Sequence, residues 1–235
     1  MLDQSFLTWN HGIGTAKRIP VFSVFIDHPE AKVLFDTGFD LEQTQKDLPF
    51  EEPLQTEEQT IAAQLDKIGV QSSDIDILVN SHLHFDHCGA NKLFPDVENI
   101  INKWELREAF VPEPFERLGY NRIHFDFPDR NYRLIEGDYG VLPGIQLIFT
   151  PGHTVGHYSL LVELDSGPLL YVSDAAWGPE NLEHNHPMGL HHDPLAMLKS
   201  FQRLRQIIAT RKPIVLYPHD FEQYETYKKT PDFYE

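Results

Sequence analysis

The chain has 235 residues, enough for one domain with a substantial core, and no internal repeat or low-complexity tract divides it. Its 19 basic and 36 acidic side chains give a formal net charge of −17, which would repel the phosphates of nucleic acids. The apolar runs are about as long as a strand, too short to span a membrane. Cys88 is the single cysteine, so an internal disulfide is impossible, and the first residues lack the pattern of a signal peptide. We therefore expect a single domain over residues 1–235, a cytoplasmic monomer or homodimer with neither a nucleic-acid nor a membrane partner.

The first part of the chain alternates strand and helix patterns. Residues 20–26 and 32–35 are rich in β-branched and aromatic residues and are predicted as two strands joined by a turn. Residues 59–68 place their apolar side chains on one face at spacings of four and three, which predicts a helix ending at Gly69. The apolar run at residues 75–80 then predicts a buried strand.

The second part of the chain repeats this alternation. Residues 145–149, 169–173 and 214–218 are short apolar runs of strand length. Asp193 before a proline is a typical helix start, and the apolar spacing that follows predicts a helix over residues 194–208 packed on the sheet. The pattern as a whole indicates an α/β fold.

A cluster of potential metal ligands directly follows the predicted strand at residues 75–80. His82, His84, Asp86 and His87 form an H-x-H-x-D-H run, which places three imidazoles and one carboxylate within six residues. Such a cluster is costly to desolvate if it is unused, whereas a pair of metal ions binds all four groups. Loops at strand ends commonly carry the chemistry of α/β enzymes, so the run predicts a dinuclear metal centre.

Two metal ions need more than four ligands, and the sequence offers three further candidates at strand ends. His153 follows the strand predicted at residues 145–149, Asp174 follows the next predicted strand, and His219 follows the last one. Each of them repeats the order of strand and then ligand that the first cluster shows.

In chain order, these motifs resemble the metallo-β-lactamase superfamily, which carries an H-x-H-x-D-H run, a later His, a bridging Asp and a final His. The resemblance implies an αβ/βα four-layer sandwich that holds two metal ions. The resemblance also implies that one ion is bound by His82, His84 and His153 and the other by Asp86, His87 and His219. It implies that the Asp174 carboxylate bridges the two ions. Zinc suits these donors, and manganese, iron or cobalt would fit them too.

Within that superfamily, residues 80–87, 135–139, 142–147 and 150–153 resemble the N-acyl homoserine lactone lactonases, and the likeness covers nearly the whole chain. It implies hydrolysis of a lactone ring by a hydroxide that bridges the two metals, and hence quorum quenching. Residues 48–53, 87–89 and 156–161 are also similar to 4-pyridoxolactonase. Residues 150–157 share a motif with glyoxalase II, a thioester hydrolase, although no basic glutathione-binding tail is evident. Both activities remain alternatives.

The resemblance also implies a strand before the first residues of this chain. Met1–Asp3 align where relatives already have a first strand behind them. Loss of an edge strand would expose hydrogen-bonding groups of the sheet, so we expect either a truncated gene model or a marginally stable product.

Candidate catalytic residues are Asp86, Asp174 and Trp177. Asp86 is interpreted as a ligand rather than a general base, and Asp174 as the group that takes a proton when the intermediate collapses. Trp177 stands where the lactonases usually carry a tyrosine that contacts the substrate carbonyl, and it offers one N–H donor. His157 is expected to support the ligand loop by hydrogen bonding, and Asp36 to cap a turn or orient a ligand.

The remaining candidates concern the surroundings of the site. Cys88 is interpreted as a small buried residue rather than a nucleophile. A loop after Asp174, rich in histidine, is predicted to be a surface or substrate-rim loop: His184, His186, His191 and His192. His191 is also a candidate, with Trp177, for shaping the lactone pocket. Three aromatic residues are candidates for its other wall: Phe110, Phe115 and Tyr120.

Overall fold

A computed structural model describes residues 1–128 and 130–235. In the described residues the strands are β1 (Leu2–Asp3), β2 (Ala16–Lys17), β3 (Val24–His28), β4 (Ala31–Phe35), β5 (Ile77–Val79), β6 (Glu98–Asn102), β7 (Tyr132–Ile135), β8 (Tyr139–Leu142), β9 (Ile145–Phe149), β10 (Tyr158–Val162), β11 (Leu169–Tyr171) and β12 (Ile214–Leu216). The α-helices are α1 (Gln4–Leu7), α2 (Leu41–Asp47), α3 (Ile61–Asp66), α4 (Phe85–Cys88), α5 (Lys103–Phe110), α6 (Pro179–His184), α7 (Pro194–Arg211) and α8 (Phe221–Thr226).

The chain divides into two compact units, each with its own five-stranded sheet. The first unit contains residues 1–20, 136–228 and 234–235, and the second contains residues 21–135 and 229–233. The expectation of a single domain over residues 1–235 stays a prediction.

In the second unit the strand order is β3-β4-β5-β6-β7, with β3 antiparallel to β4 and the other neighbours parallel. A core of apolar side chains packs around this sheet: Leu34, Leu65, Val70, Ile75, Leu78 and Phe94. The parallel neighbours β4 and β5 end at the same edge, with Phe35 paired to Val79. The residues that follow each strand, Asp36 and the run from Asn80, therefore lie side by side.

The element boundaries in this unit differ from the sequence prediction: β4 begins one residue earlier, at Ala31, and β5 covers Ile77–Val79 rather than residues 75–80. Two other differences are larger. Strand β3 covers Val24–His28, whereas the sequence predicted a strand at residues 20–26. His28 still pairs with Ala31, so the turn between β3 and β4 has only two residues. The helix predicted at residues 59–68 is shorter, since the Thr60 hydroxyl caps α3 by accepting the Ala63 N–H at 3.3 Å. A short 3₁₀ helix at Glu57–Gln59 precedes that cap.

In the first unit the strand order is β12-β11-β10-β9-β8, antiparallel except for the β11–β12 pair. Helix α7 begins as predicted, because the Asp193 carboxylate accepts the N–H groups of Leu195 and Ala196. It runs to Arg211, three residues beyond the prediction, and buries Met197, Phe201 and Leu204 in the core of this unit.

The amino-terminal residues form a separate small sheet within the first unit. Strands β1 and β2 pair antiparallel, with Leu2 opposite Lys17. Within residues 1–128 and 130–235, neither five-stranded sheet includes a strand before Val24, and β3 lies at the edge of its sheet. Every helix among the described residues, 1–128 and 130–235, is too short or too polar to cross a lipid bilayer.

Candidate metal centre

The second unit presents four of the predicted ligands on one short segment after β5. His82 and His87 are buried, and their ring centroids lie 4.1 Å apart; the His82 and His84 centroids lie 4.6 Å apart. The segment then forms the single turn of α4, which carries Asp86 and His87, and His87 Nε2 lies 3.7 Å from Asp86 Oδ2. The structure thus brings the whole H-x-H-x-D-H run together as one cluster, the first cluster below.

Asp36 orients this cluster from the end of the neighbouring strand β4. It is fully buried, and its Oδ2 lies 2.8 Å from His87 Nδ1. The same carboxylate accepts the Ser81 N–H at 2.7 Å and the Ser81 hydroxyl at 2.8 Å. Burial raises the pKa of the Asp36 carboxyl, and the interactions with His87 and Ser81 oppose that rise. Of its two predicted roles, ligand orientation is the one these contacts support.

Ser81 extends the same arrangement to a second imidazole. Its hydroxyl oxygen lies 2.9 Å from His82 Nδ1, while its proton is directed to Asp36 Oδ2. A chain of hydrogen bonds therefore connects Asp36, through one serine, to His82 and, directly, to His87. Nothing in the local sequence pattern marks Ser81 for this role, because the contact depends on the pairing of β4 with β5.

The first unit holds the other three predicted ligands, which we call the second cluster: His153, Asp174 and His219. The Nε2 atoms of both histidines approach one carboxylate oxygen, since His153 Nε2 lies 3.3 Å and His219 Nε2 lies 3.2 Å from Asp174 Oδ2. All three residues are buried. Asp174 lies on a 3₁₀ turn, Ser173–Ala175, close to the end of β11. The sequence prediction that strand ends carry these residues is confirmed.

Trp177 adjoins Asp174 directly. Its indole N–H donates to Asp174 Oδ2 at 2.7 Å, and its ring centroid lies 4.8 Å from that of His219 and 6.0 Å from that of His153. The side chain is almost fully buried. The sequence suggested a donor to a substrate carbonyl at this position, and in the structure the N–H is given to the carboxylate.

Four of the histidines share one feature of hydrogen bonding. In each, Nδ1 has a protein partner: Ser81 Oγ for His82, Asp36 for His87, the Leu190 carbonyl at 2.9 Å for His153 and the Pro20 carbonyl at 2.8 Å for His219. An imidazole that donates from Nδ1 presents Nε2 as a lone-pair donor, which is the usual arrangement of metal-binding histidines. Together with two carboxylates, this donor set fits borderline divalent ions such as zinc.

His157 supports the His153 loop, as its predicted role required. Its Nδ1 lies 2.9 Å from the Thr150 hydroxyl, which lies 2.9 Å from the Ser159 hydroxyl, which donates to the Val172 carbonyl at 2.7 Å. These contacts tie the residues before and after His153 to strand β10 and to Val172, the residue that follows β11. His157 is fully buried.

Gly152 is required by the path of the same loop. Its φ is +137°, and a Cβ atom there would lie 2.4 Å from the Met197 backbone on α7. Only glycine combines that backbone conformation with so close an approach. The Gly152 carbonyl also accepts the Asp193 N–H at 3.0 Å, so the loop and the start of α7 are joined.

The remaining sequence candidates, apart from Tyr120, fall outside the two clusters. Cys88 is fully buried, its thiol donates to the Leu83 carbonyl at 3.3 Å, and burial raises its pKa well above the usual range, so the interpretation as a buried residue fits the structure. Of the proposed wall residues, Phe115 is 66% exposed and Phe110 packs against Phe125. The predicted rim histidines are exposed or half-buried: His184, His186, His191 and His192.

Besides Ser81, sequence reasoning missed two residues that contact the first cluster. Glu105 is a fully buried carboxylate on α5, and Gly119 lies against the His84 ring. A buried glutamate in a helix has no distinctive sequence signal, although Glu105 shares the inner face of α5 with the buried Ala109, four residues later.

These two clusters and two sheets identify the class of protein. Residues 16–219 match the metallo-beta-lactamase superfamily, a match that spans most of the chain. The protein belongs to this superfamily, and the fold class expected from the sequence is confirmed.

Particular members of the superfamily are similar over almost the full length. An N-acyl homoserine lactonase of Bacillus cereus is 35% identical over 242 residues, which cover 99% of this chain and 94% of that protein. The N-acyl homoserine lactonase AttM of Rhizobium radiobacter is 33% identical, covering 96% and 91%. A solved structure of an N-acyl homoserine lactone hydrolase, with the product N-hexanoyl-L-homoserine bound at its catalytic metal center, has a TM-score of 0.89 at 33% identity, covering 99% and 94%.

Proposed function

We propose that this protein is a dinuclear zinc hydrolase that opens the ring of N-acyl homoserine lactones and so degrades quorum-sensing signals. One ion would be held by His82, His84 and His153. The other would be held by Asp86, His87 and His219, and Asp174 would be a ligand of both. The similarity to lactonases over nearly the whole chain supports this choice of substrate.

The observation that carries the proposal is the shared arrangement of the histidines. Four imidazoles hold Nδ1 in hydrogen bonds, and the Nε2 atoms of His153 and His219 converge on one carboxylate oxygen. A buried set of this kind has no structural purpose of its own, because it desolvates polar groups that apolar residues could replace. It suits binding of divalent ions.

When bound, two divalent ions supply an activated water and a Lewis acid for the ester carbonyl. The chain's own residues would do the rest. Asp36 and Ser81 would orient two of the imidazoles. The Asp174 carboxylate would take the proton of the added water as the ring C–O bond breaks and would pass it to the alkoxide that leaves. Asp86 acts as a ligand rather than a general base.

Trp177 would act as a hydrogen-bond donor close to the reacting carbonyl, but a weak one. Its N–H is already directed to Asp174 Oδ2, so it is less available to a substrate oxygen than a tyrosine hydroxyl would be. Loss of one such donor reduces the rate by about 10²- to 10³-fold. We therefore expect slow turnover relative to lactonases that carry tyrosine here.

The experiment that tests the proposal measures acid release from hexanoyl homoserine lactone by the zinc-loaded protein, with His84→Ala as the matched control. We expect hydrolysis that the control loses. Parallel reactions with 4-pyridoxolactone and a glutathione thioester separate the alternatives, since activity on only one of these would assign the same centre to that substrate. Inactivity on all three would refute a hydrolase of this class.

Three further properties belong to the same proposal. The single buried cysteine suits a reducing compartment, so we propose a cytoplasmic location, which cell fractionation would test. A single domain would unfold in one cooperative transition in calorimetry. Zinc as the native metal would be tested by elemental analysis of protein purified without added metal, with manganese, iron and cobalt as the other outcomes.

A further inference from the structure

Glu105 is a buried acid that the metal-binding motif does not include. It lies in the first turn of α5 with no exposed surface. Burial of a carboxylate is unfavourable unless hydrogen bonds compensate for lost hydration. Its Oε1 accepts two of them, from the Leu83 N–H at 3.1 Å and from the Tyr120 hydroxyl at 3.0 Å. The positions of those two donors indicate what the residue does.

The first donor belongs to the residue between two proposed ligands. Leu83 separates His82 from His84, and its side chain is fully buried in a core with Ile101, Phe125 and others. Its N–H is bound by Glu105 and its carbonyl accepts the Cys88 thiol at 3.3 Å. The backbone between the two histidines is therefore held on both sides by side chains.

The second donor belongs to a residue that packs on His84 itself. The Tyr120 and His84 rings meet edge to face with centroids 4.7 Å apart, and the two residues form a backbone bridge. Glu105 thus holds His84 twice, through the backbone before it and through the ring beside it.

Gly119 completes the wall around this imidazole. A Cβ atom at residue 119 would lie 2.5 Å from His84 Cδ2 and 2.6 Å from its Nε2, and the Gly119 carbonyl accepts the Phe85 N–H at 2.8 Å. Any side chain here would displace the ring or the loop. The absence of a side chain at 119 is therefore part of the same arrangement.

We infer that Glu105 is a positioning residue for His84: by binding the Leu83 N–H and the Tyr120 hydroxyl with one oxygen, it sets the orientation of this imidazole for metal binding. The inference rests on the proposed function only in taking His84 as a metal ligand. Glu105 touches neither substrate nor metal in this role, so its effect appears in metal affinity before it appears in catalysis.

The test is titration of the full chain with Co²⁺, followed by the visible absorption of the bound ion. Glu105→Leu removes both hydrogen bonds, and we expect one of the two Co²⁺ affinities to fall by about 10- to 100-fold. Glu105→Gln retains an amide oxygen that can accept both bonds, so we expect it to restore most of that affinity. Glu108→Gln, one turn later on α5, is the matched control and should bind Co²⁺ like the unmodified chain.

Tyr120→Phe keeps the test decisive if Glu105→Leu fails to fold, because it removes one bond without leaving a large cavity. A weakened Co²⁺ site in this variant, with a shifted absorption spectrum, would support the inference. Unchanged Co²⁺ affinity in both Glu105→Leu and Tyr120→Phe would overturn it, as would a Glu105→Gln variant as weak as Glu105→Leu. An unmodified chain that binds two Co²⁺ ions but opens no lactone would refute the proposed reaction and leave this test intact.

Discussion

Replacement of Asp36 by Asn is the sharpest perturbation of the first cluster that leaves its ligands in place. Asn tolerates the positive φ of +60° at this position and can still accept the Ser81 N–H through its amide oxygen. Its NH₂ group, however, replaces the oxygen that lies 2.8 Å from both His87 Nδ1 and the Ser81 hydroxyl. An amide donor facing Nδ1 drives the His87 proton to Nε2, the atom proposed to bind metal.

The expected magnitude follows from the bonds lost. A hydrogen bond to a charged group contributes about 1.5–3 kcal/mol, and each 1.4 kcal/mol corresponds to about tenfold in an equilibrium constant. Loss of the Asp36–His87 bond should therefore weaken metal binding by about 10- to 150-fold. Typical effects of removing a residue that hydrogen-bonds to a metal ligand, about 10- to 100-fold, fall in the same range.

The assay is competition for Zn²⁺ between the protein and a chromophoric chelator, with thermal melting to confirm that the variant folds. Asp76→Asn is the matched control, since Asp76 also accepts a backbone N–H at a strand of this sheet, from Lys32, but contacts no proposed ligand. Zinc affinity for Asp36→Asn within about twofold of that for Asp76→Asn would refute the reasoning, because it would mean that the orientation of His87 does not control binding.

Three other perturbations test separate parts of the structure. Trp177→Tyr is expected to raise kcat on hexanoyl homoserine lactone, by up to about 10², because a phenol adds a donor where the indole N–H is committed to Asp174; an equal or lower kcat would contradict this. Gly152→Ala should lower stability by at least about 2 kcal/mol, since the new Cβ meets the Met197 backbone, whereas Gly140→Ala has open space; melting curves of the two variants that coincide would show the argument wrong. Chelation with EDTA should abolish hydrolysis and lower the melting temperature, and added Zn²⁺ should reverse both; activity that survives exhaustive chelation would exclude a metal-dependent reaction.

The sequence was sufficient to predict which residues lie at strand ends. His219 carries no local signal apart from its place after an apolar run, and His153 adds only the motif at residues 150–153. Both are found shortly after the ends of their strands, and helix α7 begins at its predicted cap. Such features depend on neighbours in the chain, which a sequence displays directly. The motif run around His82 adds its own spacing to that information.

Contacts between distant segments could not be predicted in the same way. The Glu105–Leu83 bond joins positions 22 residues apart, and the Asp36–His87 bond joins positions 51 apart. Each depends on which strand pairs with which, and on how α5 packs. The predicted boundary of β3 was wrong for a related reason, because pairing with β4 rather than local propensity sets where the strand ends.

Leu83 has a consequence for how this protein can be engineered or can diverge. The residue between two proposed ligands has its side chain in the hydrophobic core, so the same peptide serves packing and metal binding. A library that varies the core around Leu83 for thermal stability is then also a library of altered metal sites. Volume-conserving changes such as Leu83→Met should be tolerated, while bulkier ones should lose metal before they lose the fold. Substitutions at Leu83 are therefore limited both by the packing of the core and by the geometry of the two proposed ligands beside it.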